Sequence, residues 1–366
     1  MKQKAMESKR FLVVLAAAMA MVFALGLAGC GGGSSASSSA AADSGSAEAA
    51  SGDAITLIAA DSTAPGSAGN QWQLAFKEAL EADSNGSMLI DYHGNGELGG
   101  DADTQTQLQA NDIQIDVTQP ATLVSFVPGF AVFDAHMVFA TSTPEANDKV
   151  LNGDNAFSQG LQKSAEENGM HILGWLQNGT FRQVTSNKEL KTLDDFKGFQ
   201  IRTMENKNHM AFWTALGAEP TPLAFAEVYI SLQNGTVQGQ ENATDTSVGN
   251  SFQEVQKYLC LTNHVLYANV MLVSKTCWDG LTADQQALLE QACKEATAKV
   301  APTLGQLDQD SRKTMTDAGM EIIEYGDDFF NAVQENADVQ KLNDSIDEQS
   351  GGLLTVLKEE IEKANA

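Results

Sequence analysis

The stretch "AITLIAADSTAPGSAGNQWQLAFKEALEADSNGSMLIDYH", residues 54–93, decides the fold class. "AITLIAA" is a short apolar run of strand formers. In "NQWQLAFKEALEA" the residues Trp72, Ala75, Phe76, Ala79 and Leu80 recur at helical spacing. "SNGSMLIDYH" then supplies a turn and a second strand. Downstream, "DADTQTQLQA" reads as a helix starting at Asp101, and "IQIDV" as a third strand. Strand, helix, strand, helix, strand predicts an α/β domain with a parallel sheet.

The alternation resumes later in the chain. "HILGWL" (171–176), "FRQVTS" and "FQIRT" read as strands. Thr192 and Asp195 form a capping-box-like start to a short helix that ends at Gly198. "NKNHMAFWTALG" and "FAEVYISLQNG" are helices closing on Gly217 and Gly235. "VLYANVMLVS" (265–274) is a long apolar strand, and residues 282–319 are helical throughout, with a kink expected at Pro302. At about 1.5 Å per residue such a helix is roughly 50 Å long, more than one small domain needs.

Residues 1–53 have a different character. Lys2, Lys4, Lys9 and Arg10 precede a 17-residue apolar run, Phe11 to Leu27, which "LAGC" closes. This order fits a secretory signal peptide better than an uncleaved membrane anchor. "LAGC" resembles a bacterial lipobox, which implies cleavage after Gly29 and lipid attachment to Cys30. A Gly/Ser/Ala tether follows, and structure is expected from Ala54, leaving about 313 residues, enough for two domains.

The chain carries a formal charge of −26; loss of the leader, with four basic residues and one acidic, leaves −29. That balance opposes nucleic acid and anionic membrane surfaces as partners. It also repels small anions, so an anionic ligand would need local positive charge. Cys260, Cys277 and Cys293 make an odd set with no C-x-x-C, which suggests buried thiols rather than a disulfide framework or zinc site.

"GNGELG" (94–99) matches G-x-G-x-x-G, yet Glu97, Asp101 and Asp103 crowd the turn where a pyrophosphate would sit, so it reads as a plain turn. The five histidines, 93, 136, 171, 209 and 264, are scattered and fit structural roles. No catalytic motif, metal site or cofactor fingerprint stands out. Arginine is informative because it is scarce. Of four in the chain, Arg182 and Arg202 lie only twenty positions apart. Arg202 falls where a strand yields to a helix, and strand ends of this kind form ligand crevices in α/β sheets. A guanidinium there suits a carboxylate. The bland alternative is a pair of surface arginines bound to plentiful acids.

Several longer segments carry a family resemblance. "W-x3-G-x2-R" (Trp175 to Arg182), "SNKELKTLDDFKGFQIR", "ALGAEPTPLAFAEVYISLQNGTVQGQEN" and "EVQKYLCLTNHVLYANVMLVS" resemble solute-binding proteins of tripartite ATP-independent periplasmic (TRAP) transporters, DctP type. "GELGGD" and "FAVFDAHMVF" look like more degenerate family segments. The likeness is strongest over 172–295 and continues more weakly over 54–360. It implies a two-lobed periplasmic-binding-protein fold (type II-like, α/β) with a long helix spanning both lobes. The expected division is 54–179 plus 268–307 for lobe I and 180–267 plus 308–366 for lobe II, after a signal peptide (1–29) and tether (30–53).

The resemblance further implies a protein that captures a small carboxylate extracytoplasmically and passes it to an ion-gradient-driven membrane permease, without catalysis or cofactor. Arg202 matches the family's main carboxylate-binding arginine, Arg182 a second pocket arginine, Asn242 the asparagine of "GQEN", and Phe225 an aromatic cleft residue. By the same alignment Gln119 stands where acidic-sugar binders carry glutamate, and Ala60 where they carry asparagine, which weakens a sialic-acid-type reading. Ala243, His136 and Asn111 also depart from the usual residues, in loops. Glu205 is expected either to read a ligand group or to brace Arg202. A monomer is expected. The competing readings are a binding component of an ATP-driven importer or sensor, and a secreted hydrolase or lyase.

Overall fold

A computed structural model describes residues 54–140 and 142–366. The expected signal peptide (1–29), the expected tether (30–53) and the expected lipid attachment at Cys30 lie outside the described residues. Two sheets organise the chain. The first has the order β2-β1-β3-β10-β4, made from β1 (Ile55–Ala60), β2 (Met88–His93), β3 (Ile115–Thr118), β4 (Met170–Leu176) and β10 (Asn269–Ser274). The second has the order β11-β9-β5-β8-β6-β7. Its strands are β5 (Gln183–Ser186), β6 (Gln200–Thr203), β7 (Glu219–Pro222), β8 (Gly239–Asn242), β9 (Tyr258–Cys260) and β11 (Glu321–Ile323).

The first sheet is mixed rather than parallel. β1 runs parallel to β2 and β3 as the alternation predicts, but β10 inserts antiparallel between β3 and β4. It reaches the first sheet after the chain has built most of the second. The apolar run 265–274 is therefore strand only from Asn269, its earlier residues being the passage between lobes.

Each face of the first sheet is covered by helices. Trp72, Phe76 and Leu80 on the helix Ala68–Asp83 are fully buried against Leu289, Ala292 and Ala296 of the helix Ala283–Val300. The Trp72 Nε1–H donates to Thr297 Oγ1 at 3.0 Å, satisfying the ring's polar edge. On the other face Phe130, Phe133, Phe157 and Trp175 share one apolar cluster. Burying each such ring contributes about 1.5–3 kcal/mol.

The predicted kink appears as a 3-10 turn, Ala301–Thr303, between the helices Ala283–Val300 and Leu304–Asp317. Pro302 has no N–H to continue the ladder. The first segment packs in the first lobe, while Met315 of the second packs with Leu259 and Leu261 beside the second sheet. The broken helix thus spans both lobes. The last helix, Leu353–Asn365, departs from the expected division. Its stripe Leu354, Leu357 and Ile361 joins Phe157 and Leu161 in the first lobe's cluster, because the helix packs on Pro144–Leu151 and Ala156–Glu167.

Candidate functional site

Between the two sheets lies a cleft lined from the first lobe by Ser62, Thr63, Ser67, Asp101, Thr118, Gln119 and Thr122. Arg182, Arg202, Met204, Phe225, Asn242 and Thr246 line it from the second, and Tyr267 lies on the passage between them. Topology explains the convergence. β1, β3, β6 and β8 all point their C-terminal ends at the cleft, as open α/β sheets do at ligand sites. β6 runs parallel to β8 and β5 antiparallel to it, so the end of β6 and the start of β5 share one sheet edge. Arg202 near the end of β6 and Arg182 just before β5 therefore reach the same cavity.

The two guanidinium groups are equally buried, each 2% exposed, and differently partnered. Arg182 donates from Nε to Glu241 Oε2 at 2.6 Å, and from Nη2 to Glu241 Oε1 at 3.0 Å and the Glu241 carbonyl at 2.8 Å. Its Nη1 donates to Gln119 Oε1, a contact between lobes. Four of its five N–H groups are occupied and its charge is balanced. Burial alone would raise Glu241, but Arg182 and the His209 and His264 rings hold it well below the usual carboxylate range.

Arg202 donates from Nε at 3.0 Å and Nη2 at 2.7 Å, both to the Leu223 carbonyl. Among the described residues it pairs with no carboxylate. Burial pushes it down to about 10 despite the charge of Glu241, which favours its protonated form. Its Nη1 and one Nη2 proton remain free of protein acceptors, and the Phe225 ring lies 5.6 Å from its Cζ. An uncompensated buried cation is costly, and a ligand carboxylate is what would complete it.

Asn242 Oδ1 accepts from the Ala243 N–H at 3.0 Å, which leaves the Nδ2 protons for the cavity. Gln119, Arg182, Arg202, Phe225 and Asn242 thus meet in one cavity. Glu205 does not join them. It is exposed and absent from the lining, although its negative charge is felt at Arg202.

Two features were not legible in the sequence. One is Asp101, whose Oδ1 accepts from the Ser62 hydroxyl and, at 3.4 Å, from Thr118. The acid that argued against a nucleotide at "GNGELG" is itself part of the cavity wall. The other is a buried cluster behind Arg182. His264 Nε2 lies 2.9 Å from Glu241 Oε2, His209 Nδ1 3.6 Å from Glu241 Oε1, and His209 Nε2 3.1 Å from Asp134 Oδ1. His136 packs beside both rings, so three histidines scattered in sequence converge. Among the described residues no group of three or more His, Cys, Asp and Glu is placed to hold a metal ion.

Residues 60–346 match the family model for bacterial extracellular solute-binding protein, family 7 (DctP). The C4-dicarboxylate-binding periplasmic protein DctP of Rhodobacter capsulatus is 32% identical over 248 residues, 67% of this chain and 72% of that protein. A solute-binding protein of Verminephrobacter eiseniae is 31% identical over 253 residues, covering 68% and 73%. Among solved structures, the sugar acid binding protein of Advenella mimigardefordensis in complex with galactonate superposes with a TM-score of 0.79 at 27% identity. That match covers 85% of this chain and 99% of the other.

Proposed function

This chain belongs to the bacterial extracellular solute-binding protein family 7, and from that premise we propose that its cleft closes on a small carboxylate with Arg202 as the principal anchor. The observation that carries the reading is the buried guanidinium of Arg202, which lacks a carboxylate partner among the described residues while its neighbour Arg182 has one. The three free N–H groups of Arg202 suit a two-point clamp on a carboxylate. Arg182 offers its remaining Nη1 proton and Asn242 its Nδ2 group. Phe225 covers the guanidinium and keeps water from competing. Glu205 acts on Arg202 through its field and not by touching the solute.

The roles follow from charge. Each charge-assisted hydrogen bond contributes about 1.5–3 kcal/mol, and a micromolar affinity needs about 8 kcal/mol. Two clamp bonds and partial burial of the solute's carbon chain reach that value. The bound acid is released unchanged, to a membrane permease of the TRAP type. The mature protein acts outside the cytoplasm as a monomer held to the membrane by lipid on Cys30, which the mass of its mature amino terminus checks. Arg202→Ala is expected to weaken binding at least a hundredfold in calorimetry while thermal unfolding stays cooperative. Unchanged affinity in that variant would sink the clamp.

A further inference from the structure

The two walls of the cavity carry opposite charge. On the second lobe the charge of Arg182 is spent on Glu241, so Arg202 supplies the one cation left uncompensated among the described lining residues. On the first lobe Asp101 presents a carboxylate to the same space. Its Oδ1 is held by the Ser62 and Thr118 hydroxyls, while no protein donor among the described residues reaches Oδ2. Neither arginine forms an ion pair with it, so space separates the two charges.

More acid stands behind Asp101. Asp116, on β3 two residues before Thr118, is 1% exposed, and among the described residues no well-formed hydrogen bond reaches either carboxylate oxygen, the Thr104 hydroxyl alone acting against burial. Burial pushes Asp116 well up, and the negative charges of Asp101 and Asp61 add to the effect. Asp101 is itself raised by burial, against the Ser62 hydrogen bond and the pull of Arg202. Among the described lining residues the first lobe's wall therefore carries an acid and no cation, whereas the second lobe's wall carries a cation and no carboxylate.

Building on the carboxylate reading of the cleft, we propose that the solute is a monocarboxylate whose far end donates hydrogen bonds, through hydroxyls or an ammonium group, to Asp101. The carboxylate lies against Arg202, and the donor satisfies the open Oδ2. A dicarboxylate fits poorly, since its second carboxylate would set acceptor against acceptor and charge against like charge with no second free cation to meet it. Asp101 is in this sense the residue that sets specificity, and Arg202 the residue that sets affinity for acids.

Matched acids of equal carbon number test this by calorimetry on the full mature chain: D-galactonate against galactarate, D-erythronate against meso-tartrate, and γ-aminobutyrate against succinate. At least one monocarboxylate is expected to bind ten times or more tighter than its diacid partner. The first two pairs report a hydroxyl donor and the third an ammonium. Asp101→Asn, which replaces the charge with a neutral amide of the same shape, is expected to narrow that ratio at least threefold. A diacid binding as tightly as its partner in every pair, or an unaltered ratio in the variant, overturns the inference and leaves the carboxylate cleft standing. If no acid of the panel binds, both readings fall.

Discussion

His209 is held between two acids, and its ring is the most consequential titrating group behind the site. Burial alone would lower it, but Asp134 and Glu241 raise it to about 9. A histidine raised above its free value of about 6.5 adds stability that is complete below that value and is lost as pH rises through about 9. His136 and His264 behave oppositely, since burial keeps them neutral and lowers both. They cost stability as pH falls below about 6.5, where the unfolded chain takes up their protons. The urea midpoint should therefore pass through a maximum near neutral pH. The alkaline fall between pH 7 and 9 should be on the order of 1–3 kcal/mol. His209→Gln should flatten that limb and leave the acid limb in place. A limb as steep in the variant as in the parent would show that other groups govern it. The cluster sits behind Arg182 through Glu241, so the same titration bears on how firmly that guanidinium is held.

At the scale of elements, what could be read from the sequence was local. The helix Ala68–Asp83 follows from the spacing of Trp72, Phe76 and Leu80, and the turn after Phe196 from Gly198, whose φ of +69° disfavours residues with a Cβ. The Thr192–Asp195 capping box is present as expected, with Asp195 Oδ2 accepting from the Thr192 N–H at 2.8 Å. Pairing between distant elements was not legible. Nothing in "GQEN" announces that Glu241 lies opposite Val184, and that register is what delivers a carboxylate to Arg182. The convergence of His136, His209 and His264 likewise depends on contacts across more than fifty residues, which no periodicity records. Gly174 shows a subtler limit. It lies beside an irregularity in the pairing of β4 with β10, and a Cβ there would meet Cys293 Sγ at 2.7 Å. A glycine inside a strand signals close approach by something; that it is the helix Ala283–Val300 becomes visible only after folding. The arginines were legible for another reason. In a chain with so few, two within one short segment stand out by their scarcity alone.

At the scale of the whole molecule, the acidic chain and its anion-binding cleft pull in opposite directions. The formal charge of −26 surrounds the cleft with a field that repels an approaching carboxylate, whereas Arg202 attracts it only at short range. Added salt screens the two unequally. The Debye length falls from about 30 Å at 0.01 M to about 8 Å at 0.15 M, which removes the long-range repulsion. Contacts inside the closed cleft are buried and much less screened. Association of the tightest-binding acid of the panel should therefore speed up with salt, roughly two- to fivefold across this range, opposite to ordinary electrostatic steering. Stopped-flow tryptophan fluorescence at a series of sodium chloride concentrations would measure it. A rate that falls with salt would mean that local positive charge at the cleft mouth outweighs the field of the whole protein, and that the cleft draws in its solute before the lobes close. If the rate rises as expected, the acidic surface serves solubility at some cost in capture rate. Selection of the solute is then left to the short-range pair at the centre, Arg202 on one wall and Asp101 on the other.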